Sequence, residues 1–355
     1  MRESLLGLLC CPQCRGELSL TADQREDDGH VMAGRLACGC GREYPITRGI
    51  PRFIPEEMPE KQRRTVEAFG WEWTHFDYVW EEHREQFLDW IAPVPPEFFR
   101  DKLVLDAGCG KGRHVYWSSL FGASMVVGVD LGVSVEAAFR NTRHLPNAHV
   151  VQADLYQLPL RTASFDYLYC IGVLHHLRDP RLGFLTLASY LKEDGAFSGW
   201  VYAREGNGWI VRVLNPLREK LTSRMPKGPL NAASWALTLP LYAMARYVYR
   251  PLNRVSWLRP LRRALFYNDY LIWLSQWRFR EVHSIVFDHL VAPIAYYIER
   301  EEFASWFAEA GLPPPLITFR NRNSWRGFSS FRGVNRALEP FLSGGEVMET
   351  RELMT

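Results

Sequence analysis

The chain has 355 residues, 47% of them hydrophobic, with 42 Lys and Arg against 40 Asp and Glu and a formal net charge of +2. That length exceeds one average domain, and the apolar share is ample for a buried core, which excludes a disordered chain. Seven cysteines, four of them in paired spacings near the start, point to metal rather than to a disulfide framework.

Residues 1–55 form the first expected unit. Cys11-Pro12-Gln13-Cys14 offers two thiolates from one tight turn. Cys38 and Cys40 follow after a gap that fits a hairpin, Glu17 to Thr21 out and Val31 to Ala37 back. Four thiolates, Cys11, Cys14, Cys38 and Cys40, would close a tetrahedral zinc site with no open position for chemistry. So small a segment buries little core, and metal would supply much of its folding energy. Reduced, unmetallated cysteines in a small β module are the alternative. The N-terminus lacks the apolar core and cleavage site of a signal peptide, so the expected location is cytoplasmic. Residues 56–100 read as a linker and N-terminal lid helices. Pro51, Pro55 and Pro59 mark the exit from the first unit, and Phe69, Trp71, Trp73 and Phe76 crowd into the stretch that follows.

Residues 101–205 are expected to form a cofactor-binding core. Leu103, Val104 and Leu105 suit a buried parallel strand, Asp106 ends it, and Gly108, Gly110 and Gly112 follow at every second position. Such glycines turn the backbone tightly and let a ligand lie against bare main chain. A helix should start near Arg113. Further strands are predicted at Met125–Val129, ending in Asp130, and at His149–Gln152, ending in Asp154. Two more are predicted at Phe165–Ile171, before Gly172, and at Ala196–Tyr202. An acidic side chain at the end of the second strand can accept both hydrogen bonds of a ribose diol. A dinucleotide dehydrogenase expects Gly-x-Gly-x-x-Gly, a spacing this loop lacks.

The set Asp106-Ala107-Gly108-Cys109-Gly110, Asp130, Asp154 and Gly172-Val173-Leu174-His175-His176 resembles the ordered motifs of class I S-adenosylmethionine-dependent methyltransferases, with a core like that of the ubiquinone and menaquinone methyltransferases. The resemblance implies a Rossmann-like, doubly wound, seven-stranded α/β sheet with S-adenosylmethionine as cofactor. It implies that Asp106, Gly108, Cys109 and Gly110 hold the amino-acid end, Asp130 the ribose, and Asp154 the adenine amino group. Leu131 and Leu155 would clamp the adenine, with Ile171 and Gly172 beside the transferable methyl. In the family, helices before the first strand fold over the cofactor, so the aromatics of 69–76 would roof it or simply pack. The stretch from Cys40 to Pro55 similarly resembles the zinc-ribbon module of the tRNA-methyltransferase activator subunit. The second pair departs from that module, being Cys-x-Cys, and Cys10 stands as a substitute ligand.

The insertion, residues 206–285, is expected to be mainly helical. Between 209 and 280 lie thirteen Lys and Arg against two acids, Glu219 and Asp269, with Trp and Tyr throughout. Its longest apolar run, Ala232 to Ala245, is too short to span a bilayer and contains Pro240. The composition suits a substrate lid, peripheral contact with a membrane, or phosphate contacts with aromatic stacking on RNA. Residues 286–340 should complete the core, with a helix from Glu301 to Ala310 and a final hairpin of Leu316–Phe319 and Gly327–Phe331. A flexible tail is expected over 341–355.

Methyl transfer needs positioning first, and a base only where the acceptor must lose a proton. His175, His176, His289 and Tyr296 are the candidate catalytic residues, with Asp288 and Tyr297 able to face the acceptor pocket. The acceptor is expected to be an amphiphilic small molecule, a lipid, quinone or other secondary metabolite. An rRNA or tRNA acceptor gripped by ribbon and insertion is the alternative, and a non-catalytic cofactor-binding protein with a partner docked on the ribbon is a further one.

Overall fold

The computed structural model describes residues 1–258, 262 and 265–341; the expected tail beyond Phe341 lies outside the described residues. The N-terminal strands are β1 (Leu18–Arg25), β2 (Val31–Cys38), β3 (Glu43–Thr47) and β4 (Ile50–Phe53). The core strands are β5 (Leu103–Ala107), β6 (Met125–Asp130), β7 (Ala148–Ala153), β8 (Phe165–Ile171) and β9 (Leu191–Tyr202), and the hairpin is β10 (Leu316–Arg320) and β11 (Ser324–Ser330). All eleven form one sheet in the order β1-β2-β3-β4-β7-β6-β5-β8-β9-β11-β10. The last seven strands of that order are the expected doubly wound half. Neighbours run parallel except β11, which lies antiparallel between β9 and β10.

The core strands are apolar on both faces because helices cover both. Side chains alternate across a strand, so Leu105 and Ala107 join one core with Val127, Val129, Phe184 and Trp306. Val104 and Val126 join the other, with Phe87, Trp90, Val115 and Phe139. The first core is covered by α5 (Pro180–Ala188) and α11 (Arg300–Glu309), the second by α2 (Glu82–Ile91), α3 (Arg113–Leu120) and α4 (Val135–Thr142). Asp179 caps α5, accepting from the Leu182 amide at 2.9 Å, a contact that typically stabilises a helix by ~1 kcal/mol.

The N-terminal module is not a separate bead. Strand β4 runs parallel beside β7, Arg52 opposite Gln152 and Phe53 opposite Ala153. Arg52 donates to Gln152 and pairs with Glu136 of α4, at 2.5 Å in each case. Leu5, Val31 and Leu36 share a core with Leu158 and Leu160. Two details differ from the sequence expectation. β9 begins at Leu191, ahead of the predicted start at Ala196, and carries an irregularity near its beginning, with a register shift opposite Phe165 and Tyr167.

The second difference is the insertion boundary at 285. One helix, α10 (Phe279–Val291), crosses it. The expected boundary followed the change in charge, whereas Val282, Phe287, Leu290 and Val291 continue one buried helical stripe through it. α10 packs against α1 (Glu60–His75), where Phe287 meets Trp71 and Phe76. The rest of the insertion contains α6 (Asn215–Lys220), α7 (Lys227–Met244), α8 (Arg250–Arg254) and α9 (Asn268–Leu274). Among the described residues, no helix is long and apolar enough to cross a membrane.

Candidate cofactor cavity, acceptor chamber and thiolate cluster

The loop after β5 turns on three glycines with positive φ, +86° at Gly108, +51° at Gly110 and +80° at Gly112. A side chain at Gly108 would collide with Val173 at 2.3 Å, so this position requires glycine on both counts. The amides of Gly108 and Cys109 donate to the Val129 carbonyl at 2.7 and 2.9 Å, tying the loop to β6. Asp130, at the end of β6, accepts from the amides of Gly110 (2.9 Å) and Gly132 (2.8 Å). Asp154 accepts from the Tyr156 amide (3.0 Å) and from Gln62 of α1 (3.1 Å).

These groups surround a cavity of about 480 Å³. Gly108, Cys109, Gly110, Asp130, Leu131, Asp154, Leu155, Ile171 and Gly172 line it. Asp106 does not; it lies beneath the loop, buried, with one carboxylate oxygen unpartnered. Burial, with the Asp130 charge nearby, holds its carboxyl well above the usual range.

The roof combines two of the expected aromatics with charged residues the sequence did not single out. α1 supplies Phe69, Glu72 and Trp73, and the loop itself supplies Lys111 and Arg113. Lys111 is 1% exposed and its ammonium has no hydrogen-bond partner; it sits 4.1 Å from the Tyr78 ring centre. Burial pushes it down to about 7. Glu281 of α10 lies 3.3 Å from both Arg113 and His83. Burial alone would raise Glu281, but Lys111, His83 and Arg113 together hold it well below the usual carboxylate range. The glycine loop, α2 and α10 are thus locked by one buried charge network.

Beyond the glycine loop the cavity widens into a chamber walled by Trp200, Tyr202, Asp288, His289 and Tyr297, with Leu237, Leu241 and Tyr270 from the insertion. Asp288 accepts from the Tyr202 hydroxyl at 3.0 Å, and burial pushes it up to about 6. His176 lines the cavity beneath Phe69. Its Nδ1 donates to the Ile294 carbonyl at 2.5 Å, and burial pushes the ring down to about 3. His289, 3.3 Å from the Tyr270 hydroxyl, is pushed down to about 4 by burial. Both rings are therefore neutral near pH 7.

Two candidates fall elsewhere. His175 is fully buried behind the chamber, against Tyr202 with ring centres 3.9 Å apart, and does not line the cavity. The short turn Leu174–His176 points adjacent rings in different directions. Tyr296 is 42% exposed and lines a separate surface hollow with Lys61 and Glu219. Consecutive side chains of an extended segment alternate, so Tyr297 takes the inward place.

At the other end of the sheet, the sulfurs of Cys11, Cys14, Cys38 and Cys40 all lie within 4.8 Å of one another. Cys11 and Cys40 are 3.8 Å apart, and Cys14 and Cys38 3.4 Å. Tetrahedral zinc with bonds of ~2.3 Å needs sulfurs about 3.8 Å apart, so the cluster fits it. Gly16 leaves the room: a side chain there would meet the Cys14 sulfur at 3.2 Å. Cys10 is not among the four, and its buried thiol is shifted up.

Comparison with known proteins agrees with this geometry. Residues 105–198 match the family described as a methyltransferase domain, and residues 2–49 match the Trm112p-like proteins. A tRNA U34 carboxymethyltransferase of Pseudomonas paraeruginosa is 36% identical over 186 residues, 51% of this chain and 55% of that protein. Its counterpart in Cellvibrio japonicus is 28% identical over 160 residues, 42% and 49% of the two chains. A solved S-adenosylmethionine-dependent methyltransferase from Mesorhizobium loti is 30% identical over 32% of this chain and 50% of that one, with a TM-score of 0.29. The chain spans about a third to just over half the length of the curated relatives it matches. It joins a class I S-adenosylmethionine-dependent methyltransferase domain to an N-terminal Trm112p-like module with a four-cysteine cluster.

Proposed function

We propose that the chain transfers a methyl group from S-adenosylmethionine to an acceptor held in the chamber beneath the insertion. The observation that carries this reading is one continuous cavity with the glycine loop, Asp130 and Asp154 at one end and Asp288, Tyr202 and His289 at the other. The buried ammonium of Lys111, which lines the cavity, has no hydrogen-bond partner as it stands. It suits the carboxylate of the methionine end. Asp130 would take the ribose and Asp154 the adenine amino group.

The sulfonium supplies the electrophile, so the protein's share is orientation and, for a protonated acceptor, proton removal. Asp288 is the group for that task, since it lines the chamber and titrates near 6. His176 has one nitrogen committed to Ile294 and His289 lies against Tyr270, so both are suited to orienting rather than to accepting the proton.

Two acceptor classes have support. The names of the curated relatives favour tRNA, the alternative acceptor expected from the sequence, over the amphiphilic small molecule expected first. The Trm112p-like module points the same way. The chamber wall is the observation in favour of an amphiphilic molecule, with Leu214, Leu237, Leu241, Met244 and Phe266 at its outer end. Methyl-labelled S-adenosylmethionine incubated with the protein and host extract separates them. Label in tRNA supports the first class, label in the organic phase the second.

A further inference from the structure

Part of the insertion turns its apolar side chains outward. α7 is buried along Leu230, Ser234 and Thr238, followed by Ala245, so its packed stripe contains two hydroxyl side chains. Ser234 meets His283 of α10 at 2.9 Å. Trp235, Leu237, Leu239 and Met244 on the same helix are 38 to 54% exposed. No charged residue lies between Lys227 and Arg246. Just before it in the chain, Val213, Leu217 and Leu221 recur every fourth residue and are 45 to 62% exposed. That spacing aligns them on one helical face, which points away from the protein. Twelve of the seventeen large apolar side chains exposed among the described residues lie between 209 and 266.

Charge and cavity coincide with this surface. Arg212, Lys220, Arg224 and Arg254 are exposed within the same stretch. Trp209, Leu237, Met244 and Phe266 are both exposed and part of the cavity lining, so the chamber opens through the apolar face. RNA would also meet the cations, but aliphatic stripes of Leu and Val gain nothing from phosphate, whereas they gain from hydrocarbon. Neither segment is long and apolar enough to cross a bilayer. Exposed apolar area of this kind, interspersed with cations, is the pattern of a helix lying in a membrane interface.

We propose that the exposed face carried by residues 209–258 and Phe266 docks on an anionic phospholipid surface. Its Leu, Val and Trp side chains enter the acyl boundary, its arginines meet the headgroups, and the chamber mouth opens toward the bilayer. The purpose of this docking, loading an amphiphilic acceptor, rests on the second acceptor reading above; the docking itself rests only on the surface.

The test is co-sedimentation of the full chain with phosphatidylcholine vesicles, alone or with about one fifth phosphatidylserine. The wild type should bind the anionic vesicles at least ~10-fold more tightly than the neutral ones. The triple variant Leu217→Glu, Leu239→Glu, Trp257→Glu changes exposed residues outside the cavity lining. It should lose that binding ~10-fold or more while keeping its melting temperature and its affinity for S-adenosylmethionine. A wild type that ignores anionic vesicles yet binds a tRNA pool with a steep salt dependence overturns the proposal in favour of RNA. Equal binding by the triple variant overturns it as well. Vesicle binding together with label in tRNA leaves the docking standing and removes only the lipid acceptor.

Discussion

In residues 101–205 apolar side chains face inward, and Leu120, Val133 and Leu182 are the large ones left exposed. In residues 209–258 much apolar surface faces out, with Ser234 and Thr238 buried while Trp235 and Leu239 are exposed, although Tyr249 packs inward with Leu271, Leu274 and Trp277. The first region is shaped by its own core: parallel strands need cover on both faces, and the glycine loop needs a backbone that only glycine adopts. The second, on the docking proposal, is shaped by what lies outside the chain. A lost contact should therefore damage folding and cofactor binding in the first region, and access to the acceptor in the second.

The largest expected effect is at the seam between the two. Glu281→Gln strips the carboxylate from the buried Lys111 and the half-buried Arg113, and should cost ~3–5 kcal/mol of stability, read by chemical denaturation. A loss below ~1 kcal/mol would mean that the insertion is not locked to the glycine loop. Next is Asp288→Asn, expected to lower the turnover number ~10²-fold and to flatten the limb of its pH profile near 6, with affinity for S-adenosylmethionine kept. An unchanged profile would assign proton removal elsewhere or to none.

Lys111 gives a smaller, signed effect. Its folded value of about 7 lies below its ordinary one, so the unfolded chain binds the extra proton above pH 7. Stability should therefore rise between about pH 7 and 8.5 more steeply in the wild type than in Lys111→Met. Parallel curves would place the ammonium in water. The smallest is Tyr296→Phe, which should change activity less than ~2-fold, because the ring lies outside the chamber.

The strands and their terminal acids were legible in the sequence because a buried parallel strand is a short apolar run and its end is punctuated by glycine or aspartate. The β8 bounds and the hairpin before Cys38 were readable for that reason. The roof was not. Arg113 and Glu281 are 168 residues apart, and nothing local announces that α10 returns over the loop. Lys111 stood in plain view inside the glycine motif, yet its burial depends on Trp73 and Tyr78 from preceding segments. The choices between His175 and His176, and between Tyr296 and Tyr297, turned on side-chain direction, which adjacent positions do not reveal.

The claim beneath all of this is that the glycine loop and the acids after β6 and β7 hold S-adenosylmethionine. Calorimetric titration of S-adenosylmethionine into the full chain and into Asp130→Ala tests it most directly. One-to-one binding that weakens ~10–100-fold in the variant, with the fold retained, is the predicted result. No binding to the wild type, or equal affinity in the two proteins, would contradict it.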